Sequence, residues 1–153
     1  MRRLFLTSPD PTLTWLRLSL GTVMLPHGLQ KLFGWFGGAG LEGTVAFFGS
    51  QFGLPPAVTV LVILTEALGS LLLLLGLAGR FAAVALLVNM VGAIALVNHS
   101  AGYFWTDGGW EFPLFLILVS AVIAVRGSGC WSLDRLLTRG TERAPAGYAA
   151  AAR

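Results

Sequence analysis

The stretch "LLLLLGLAGRFAAVALL", residues 71–87, decides the fold. Five leucines run into Gly76-Leu77-Ala78-Gly79; Arg80 follows, and a second apolar run begins. A loop this short forces the flanking helices to lie antiparallel and adjacent. Apolar sequence continues on both sides, over residues 56–77 and 80–99, with Pro55-Pro56 opening the first run. Each run is about 20 residues, the length that crosses a bilayer core. The composition agrees. Of 153 residues, 56% are hydrophobic and 11% charged, and the mean hydropathy is +0.78. Soluble domains carry about 25% charged residues. A surface with less than half of that does not face water, so the chain reads as an integral membrane protein.

Beyond the hairpin, two more segments qualify as spans: residues 13–33, entered through Asp10-Pro11, and residues 110–126, near the lower length limit. Proline in a first turn costs little, because its missing N–H has no helical partner there. The expected fold is all-α: a four-helix transmembrane bundle forming one domain over residues 1–139. Arg2, Arg3 and Arg17 lie early, Arg80 sits at the hairpin, and Arg126, Arg135, Arg139, Arg143 and Arg153 lie late. The segments 34–55 and 100–109 carry Glu42 and Asp107 and no Lys or Arg. The positive-inside rule then places both termini and the hairpin on the cytoplasmic side of an inner or plasma membrane. Residues 41–53 read as a short amphipathic helix between spans one and two, with Leu41, Val45, Phe48 and Phe52 at spacings of three to four. It would form an interfacial lid over the bundle; the alternative is a loop packed on the same surface.

Several function classes fall away. No basic stripe is interleaved with exposed aromatics, so a nucleic-acid partner is not expected. Cys130 is the single cysteine, which excludes an intramolecular disulfide and a two-cysteine redox motif; it reads as a small apolar filler. The opening "MRRLFL" superficially resembles a twin-arginine export signal, but Ser8-Pro9-Asp10-Pro11 interrupts its apolar core. No internal repeat supports an inverted-repeat transporter. The tail from residue 140, "GTERAPAGYAAAAR", is expected to be disordered.

Polar groups inside hydrocarbon are costly and point to function. Span one carries His27, Gln30 and Lys31, span two Glu66, span three Asn89 with Asn98 and His99 at its end, and Glu111 opens span four. At about 1.5 Å per residue, Glu66 lies roughly 15 Å beyond Pro56 and Asn89 roughly 13 Å beyond Arg80. The two share a level on neighbouring helices, so a hydrogen-bonded Glu66–Asn89 pair is expected. His27 and Lys31 share one helix face. With His99 and Glu111 they converge on the outer end of the bundle, above Glu66. Such a constellation would relay protons or hold a polar head group whose apolar tail lies between helices. Blander readings stand beside it. Lys31 would snorkel into head groups, His27 would bond a backbone carbonyl, and Glu111 would favour the first turn of its helix. Trp35, Phe36, Tyr103, Phe104, Trp105 and Trp110 would form an aromatic belt, with Trp105 among those able to flank a planar ring. No metal set is expected.

The motifs "HGLQKLFGWFGG" at 27–38, "TEALGSLLLLLGLAGRFAA" at 65–83, "NHSAGYFWTDGGWEFP" at 98–113 and "GSGCWSLDRLL" at 127–137 stand in order along the chain. In them the chain resembles the DoxX family of small four-helix membrane proteins. That family is similar to the quinone-reducing subunit of an archaeal thiosulfate:quinone oxidoreductase and, more distantly, to a eukaryotic cargo receptor. The resemblance implies a quinone- or quinol-interacting subunit of a membrane oxidoreductase system. Its candidate catalytic residues are His27, Lys31, Glu66, His99 and Glu111. Quinone-binding candidates are His27, Gln30, Lys31, Glu66, Asn89 and Trp105. No flavin fingerprint, haem motif or cysteine cluster is present, so no intrinsic cofactor is expected and the electrons would come from a redox partner protein or a soluble donor. The alternative is a non-catalytic scaffold or carrier for a lipid, a small apolar molecule or a partner protein. Gly69, Ser70, Gly92, Ala93 and Ala95 would let helices approach closely, within one chain or in a homo-oligomer.

Overall fold

The hairpin closes as its glycines demand. Helix α3 (Pro56–Leu75) stops at Gly76, which lies in the left-handed region at φ +66°. The Gly76 N–H donates to the Leu73 carbonyl at 3.1 Å and the Leu77 N–H to that of Leu72 at 3.0 Å, the paired bonds of a glycine helix stop. Helix α4 (Gly79–Ala93) starts after Ala78, itself left-handed at φ +49°. That conformation costs a residue with a side chain about 1–2 kcal/mol. Asp134, far along the chain, holds it in place. Its Oδ1 accepts the Ala78 N–H at 2.7 Å and its Oδ2 the Gly79 N–H at 3.0 Å, satisfying donors that a helix start leaves without partners.

The computed structural model describes residues 7–142, which are helical and contain no strand. Helix α1 (Pro11–Phe33) is capped by Asp10, whose carboxylate accepts the Thr12 N–H at 2.8 Å, and stops at left-handed Gly34. Helix α2 (Gly40–Phe52) fills the segment for which a lid helix and a loop were both open. The α-helical turns of α4 give way at Ala93 to one wider π turn, Ile94–Asn98. Short turns lead to α5 (Glu111–Arg126), and α6 (Leu133–Glu142) closes the described chain. Sequence reading did not anticipate α6. The expected disorder from residue 140 falls mainly on residues 143–153, outside the described residues.

Helix α1 packs on α3, α3 on α4, α4 on α5, and α5 returns to α1; α2 bridges α1 and α3. The shared core includes Leu20, Met24, Leu73, Leu86, Leu116 and Ile123. Helices α1 and α3 approach most closely at Gly28, where an added Cβ would lie 2.5 Å from the Ala67 backbone nitrogen. The outside is apolar as well: Trp15, Leu61, Phe81, Val88 and Val125 are 63–72% exposed. Water does not tolerate such a surface at this density, and a bilayer requires it. Two segments, Pro56–Leu75 and Gly79–Asn98, are long and apolar enough to cross a membrane by length and composition.

One sequence expectation needs correcting. Arg17, grouped with the arginines that set topology, is not a surface cation; it is 1% exposed. Its Nε donates to the Ser128 carbonyl at 3.0 Å, and its other nitrogens to the carbonyls of Leu73, Leu74 (2.7 Å) and Trp131 (2.7 Å). Two of those carbonyls close α3, where the helix dipole is negative. Ser128 Oγ donates to Asp134 at 2.6 Å. Residues 128–134 are thus a staple that ties α1, the hairpin and α6 together at one end of the molecule.

Candidate functional site

A cavity of about 520 Å³ lies at the opposite end, between α3 and α4. Its walls are mostly apolar. Val58, Leu61 and Val62 come from α3, Val88 and Gly92 from α4, and Leu96 and Val97 from the π turn. Met24 of α1, Met90 of α4 and Leu116 of α5, all buried, close it from behind. Phe47, Phe48 and Phe52 of α2 cover the top. Their rings meet edge to face, with centroids 5.6 Å apart for Phe48–Phe52 and 6.0 Å for Phe47–Phe52.

The polar end of this cavity is built around Glu66, 4% exposed in α3. Lys31 Nζ lies 2.5 Å from Glu66 Oε2. Asn89 Nδ2 donates to Glu66 Oε1 at 3.2 Å, the pairing expected from their shared depth. Both carboxylate oxygens are therefore occupied, as a buried charge requires. The approach at Gly28 explains how Lys31 gets there. One turn past the point where α1 touches the backbone at Ala67, a lysine on the same face is within reach of the neighbouring Glu66. Thr44 of α2 donates to the Lys31 carbonyl at 3.4 Å, joining the roof to this corner. A lysine ammonium has three donors; one serves Glu66. His27 lines the same cavity one turn deeper, with its side chain exposed.

The remaining sequence candidates lie elsewhere or outside the described residues. The Gln30 carbonyl accepts the Gly34 N–H at 3.1 Å, and its side chain packs under Gly38, away from the cavity. Glu111 Oε2 accepts the Trp105 N–H at 3.1 Å. Both residues line a separate hollow with Tyr103 and Phe115. Glu111 thus closes its own loop instead of facing Lys31. Asn98 lines the main cavity and donates to the Gly108 carbonyl at 2.6 Å. The backbone of His99 opens a short turn, His99–Ala101; its side chain lies outside what is described. Among the described residues, no three His, Cys, Asp or Glu side chains gather closely enough to hold a metal. Sequence reading missed Arg17 and Asp134 as partners of the backbone. Their signal was an arginine inside the apolar run "WLRLSL" and an aspartate in the closing motif.

An all-helical chain with an apolar exterior and a buried ion pair at the end of an apolar cavity has the character of a small membrane protein. The family model of DoxX matches residues 12–99, and the chain belongs to the DoxX family of membrane proteins. It is 34% identical over 125 residues to a protein of Bacillus subtilis named "Putative oxidoreductase CatD", covering 82% of this chain and 86% of the relative. It is 32% identical over 154 residues to a protein of Mycobacterium tuberculosis named only as an uncharacterised membrane protein, covering 90% and 88%. No solved structure matches significantly.

Proposed function

We propose that this chain is a four-span membrane protein that binds the head of a quinone or quinol as a subunit of a membrane oxidoreductase system. The observation that carries the reading is the Lys31–Glu66–Asn89 cluster at the polar end of a mostly apolar cavity. A volume of about 520 Å³ is within the range of pockets for drug-sized ligands, about 300–1,000 Å³. A quinone ring presents carbonyl oxygens that need donors. Lys31 retains two after its bond to Glu66, and His27 stands on the same wall. Reduction of the ring to the quinol takes two electrons and two protons. In this reading a partner protein carrying a flavin or haem supplies the electrons. Glu66 and His27 would carry protons to the ring oxygens. The name of the Bacillus relative, an oxidoreductase, supports the redox half of the reading.

In this reading α1, α3, α4 with its π turn, and α5 span the bilayer. Their lengths of 23, 20, 20 and 16 residues correspond to about 24–35 Å at 1.5 Å rise per residue. Both termini, the Arg80 hairpin and α6 lie on the cytoplasmic side, and α2 lies on the outer surface above the cavity.

The test is native mass spectrometry of gently purified protein, with extraction and absorption spectroscopy of any bound molecule. It is repeated on the Glu66→Gln, Lys31→Ala double variant. A quinone present in the wild type and absent from the folded variant is the expected result. Phospholipid alone, equal in both proteins, would sink the redox reading and leave a lipid-binding scaffold or carrier.

A further inference from the structure

The two arms of the hairpin do not run in contact along their whole length. Near the turn they touch: a Cβ on Gly69 of α3 would lie 3.7 Å from Leu86 Cγ and 4.0 Å from the Ala82 carbonyl oxygen, both on α4. About one turn further, Glu66 and Asn89 bridge them at 3.2 Å. Beyond the bridge they separate. Leu61 and Leu96 line the cavity, yet they are 65% and 43% exposed. A side chain that belongs both to a cavity wall and to the outer surface marks an opening. Across this gap sits Gly92, where an added Cβ would meet nothing within 4 Å. The α-helical run of α4 ends one residue later, in the wider turns of 94–98, a departure that often accompanies functional sites in helices.

We infer that the cavity opens sideways into the bilayer between the outer halves of α3 and α4. The tail of the bound amphiphile leaves through this gap, and Gly92 sets its width. The inference rests on the proposed head-group site and adds the route and the selectivity. The back is closed by buried Met24, Met90 and Leu116, and the phenylalanines of α2 stand above. The apolar residues flanking the gap are ones that a chain of hydrocarbon covers at no polar cost. The occupant is therefore a single isoprenoid or acyl chain attached to a compact head that bears hydrogen-bond acceptors. It comes from the leaflet on the α2 side, and no passage through water is needed.

The experiment compares two quinones on the protein in phosphatidylcholine nanodiscs: one with a ten-carbon tail and one with the same ring and no tail. Gly92→Phe fills open space and leaves Lys31, Glu66 and Asn89 untouched. Its expected effect is a Kd at least tenfold weaker for the tailed ligand, with the tailless ring unchanged, which also shows that the variant is folded. An unchanged Kd for the tailed ligand, or equal weakening of both, overturns the inference. If neither quinone binds the wild type, the head-group reading has failed, and a second measurement still tests the opening. A photo-reactive p-benzoylphenylalanine is placed at Thr65, a half-buried wall residue beside Glu66, and another at Val125, which is 70% exposed. Adducts with phosphatidylcholine chains at both positions support a lateral opening. Adducts at Val125 alone overturn it.

Discussion

At the residue scale, charged side chains organise the molecule from both ends. Lys31 and Glu66 form the polar end of the cavity, and Arg17 ties the other end. An arginine suits the second task because its planar guanidinium presents five donors in a fixed fork. Here that fork gathers four backbone carbonyls from α3 and the 128–131 segment. A lysine carries the same charge from a single nitrogen and leaves several of those carbonyls without a donor. Hydrogen bonds to charged groups contribute about 1.5–3 kcal/mol each. Arg17→Lys is therefore expected to destabilise by at least about 3 kcal/mol, measured as a lower midpoint of thermal unfolding in detergent, while leaving the residues of the cavity in place. A midpoint equal to the wild type would mean that Arg17 is an ordinary topology signal after all. The cavity residues were more legible than this one. Glu66 and Asn89 could be paired from axial depth alone, because helix rise is constant. For Lys31 the sequence suggests a place at the outer boundary above Glu66 and names no partner. A lysine side chain reaches in several directions, and depth says nothing about azimuth.

At the scale of elements, glycine decides which helices meet and where they part. Gly28 brings α1 onto the backbone of α3, and Gly92 leaves α4 without a neighbour across the gap. The two glycines are alike in sequence and opposite in effect. Gly28→Leu would force α1 away from Ala67, since even its Cβ would stand 2.5 Å from the backbone nitrogen there. Overpacking of this kind costs about 1–3 kcal/mol. The separation would also stretch the Lys31–Glu66 pair. The expected outcome is a lower unfolding midpoint together with loss of any ligand that copurifies, and a variant that kept the ligand would show that the close approach is not what positions Lys31. The loop from 102 to 111 illustrates the limit of periodic reading. Glu111 is expected beside the site from its level, and Trp105 as a ring able to flank a planar head. They bond each other instead, as Trp110 bonds Gly102 and Glu111 bonds Tyr103 through the backbone. Tight local turns consume polar groups that a depth argument leaves available.

At the scale of the whole molecule, the buried charges are divided between two ends, with the buried hydroxyls of Ser70 and Ser120 between them, and the exterior around them is apolar. The proposed topology has the α6 end in the cytoplasm and α2 outside. With Cys130→Ser as background, Ser50→Cys in α2 is exposed and is expected to react with a membrane-impermeant maleimide in intact cells. Leu136→Cys in α6, 60% exposed, is expected to react only after permeabilisation. The reverse pattern would invert the orientation, and labelling of both in intact cells would break the even number of spans.

The helical class, the hairpin, the membrane environment and the shared depth of Glu66 and Asn89 are legible in the sequence alone. These follow from local quantities: run length, helix rise, turn chemistry and the cost of charge in hydrocarbon. Only the tertiary structure decided which of those groups face one another. It joined Lys31 to Glu66, sent Glu111 to its own loop, buried Arg17 under the hairpin and opened α3 from α4 beyond Asn89. The physical reason is that rotation of each helix about its axis is set by close packing between elements distant in the chain, and no local pattern encodes it.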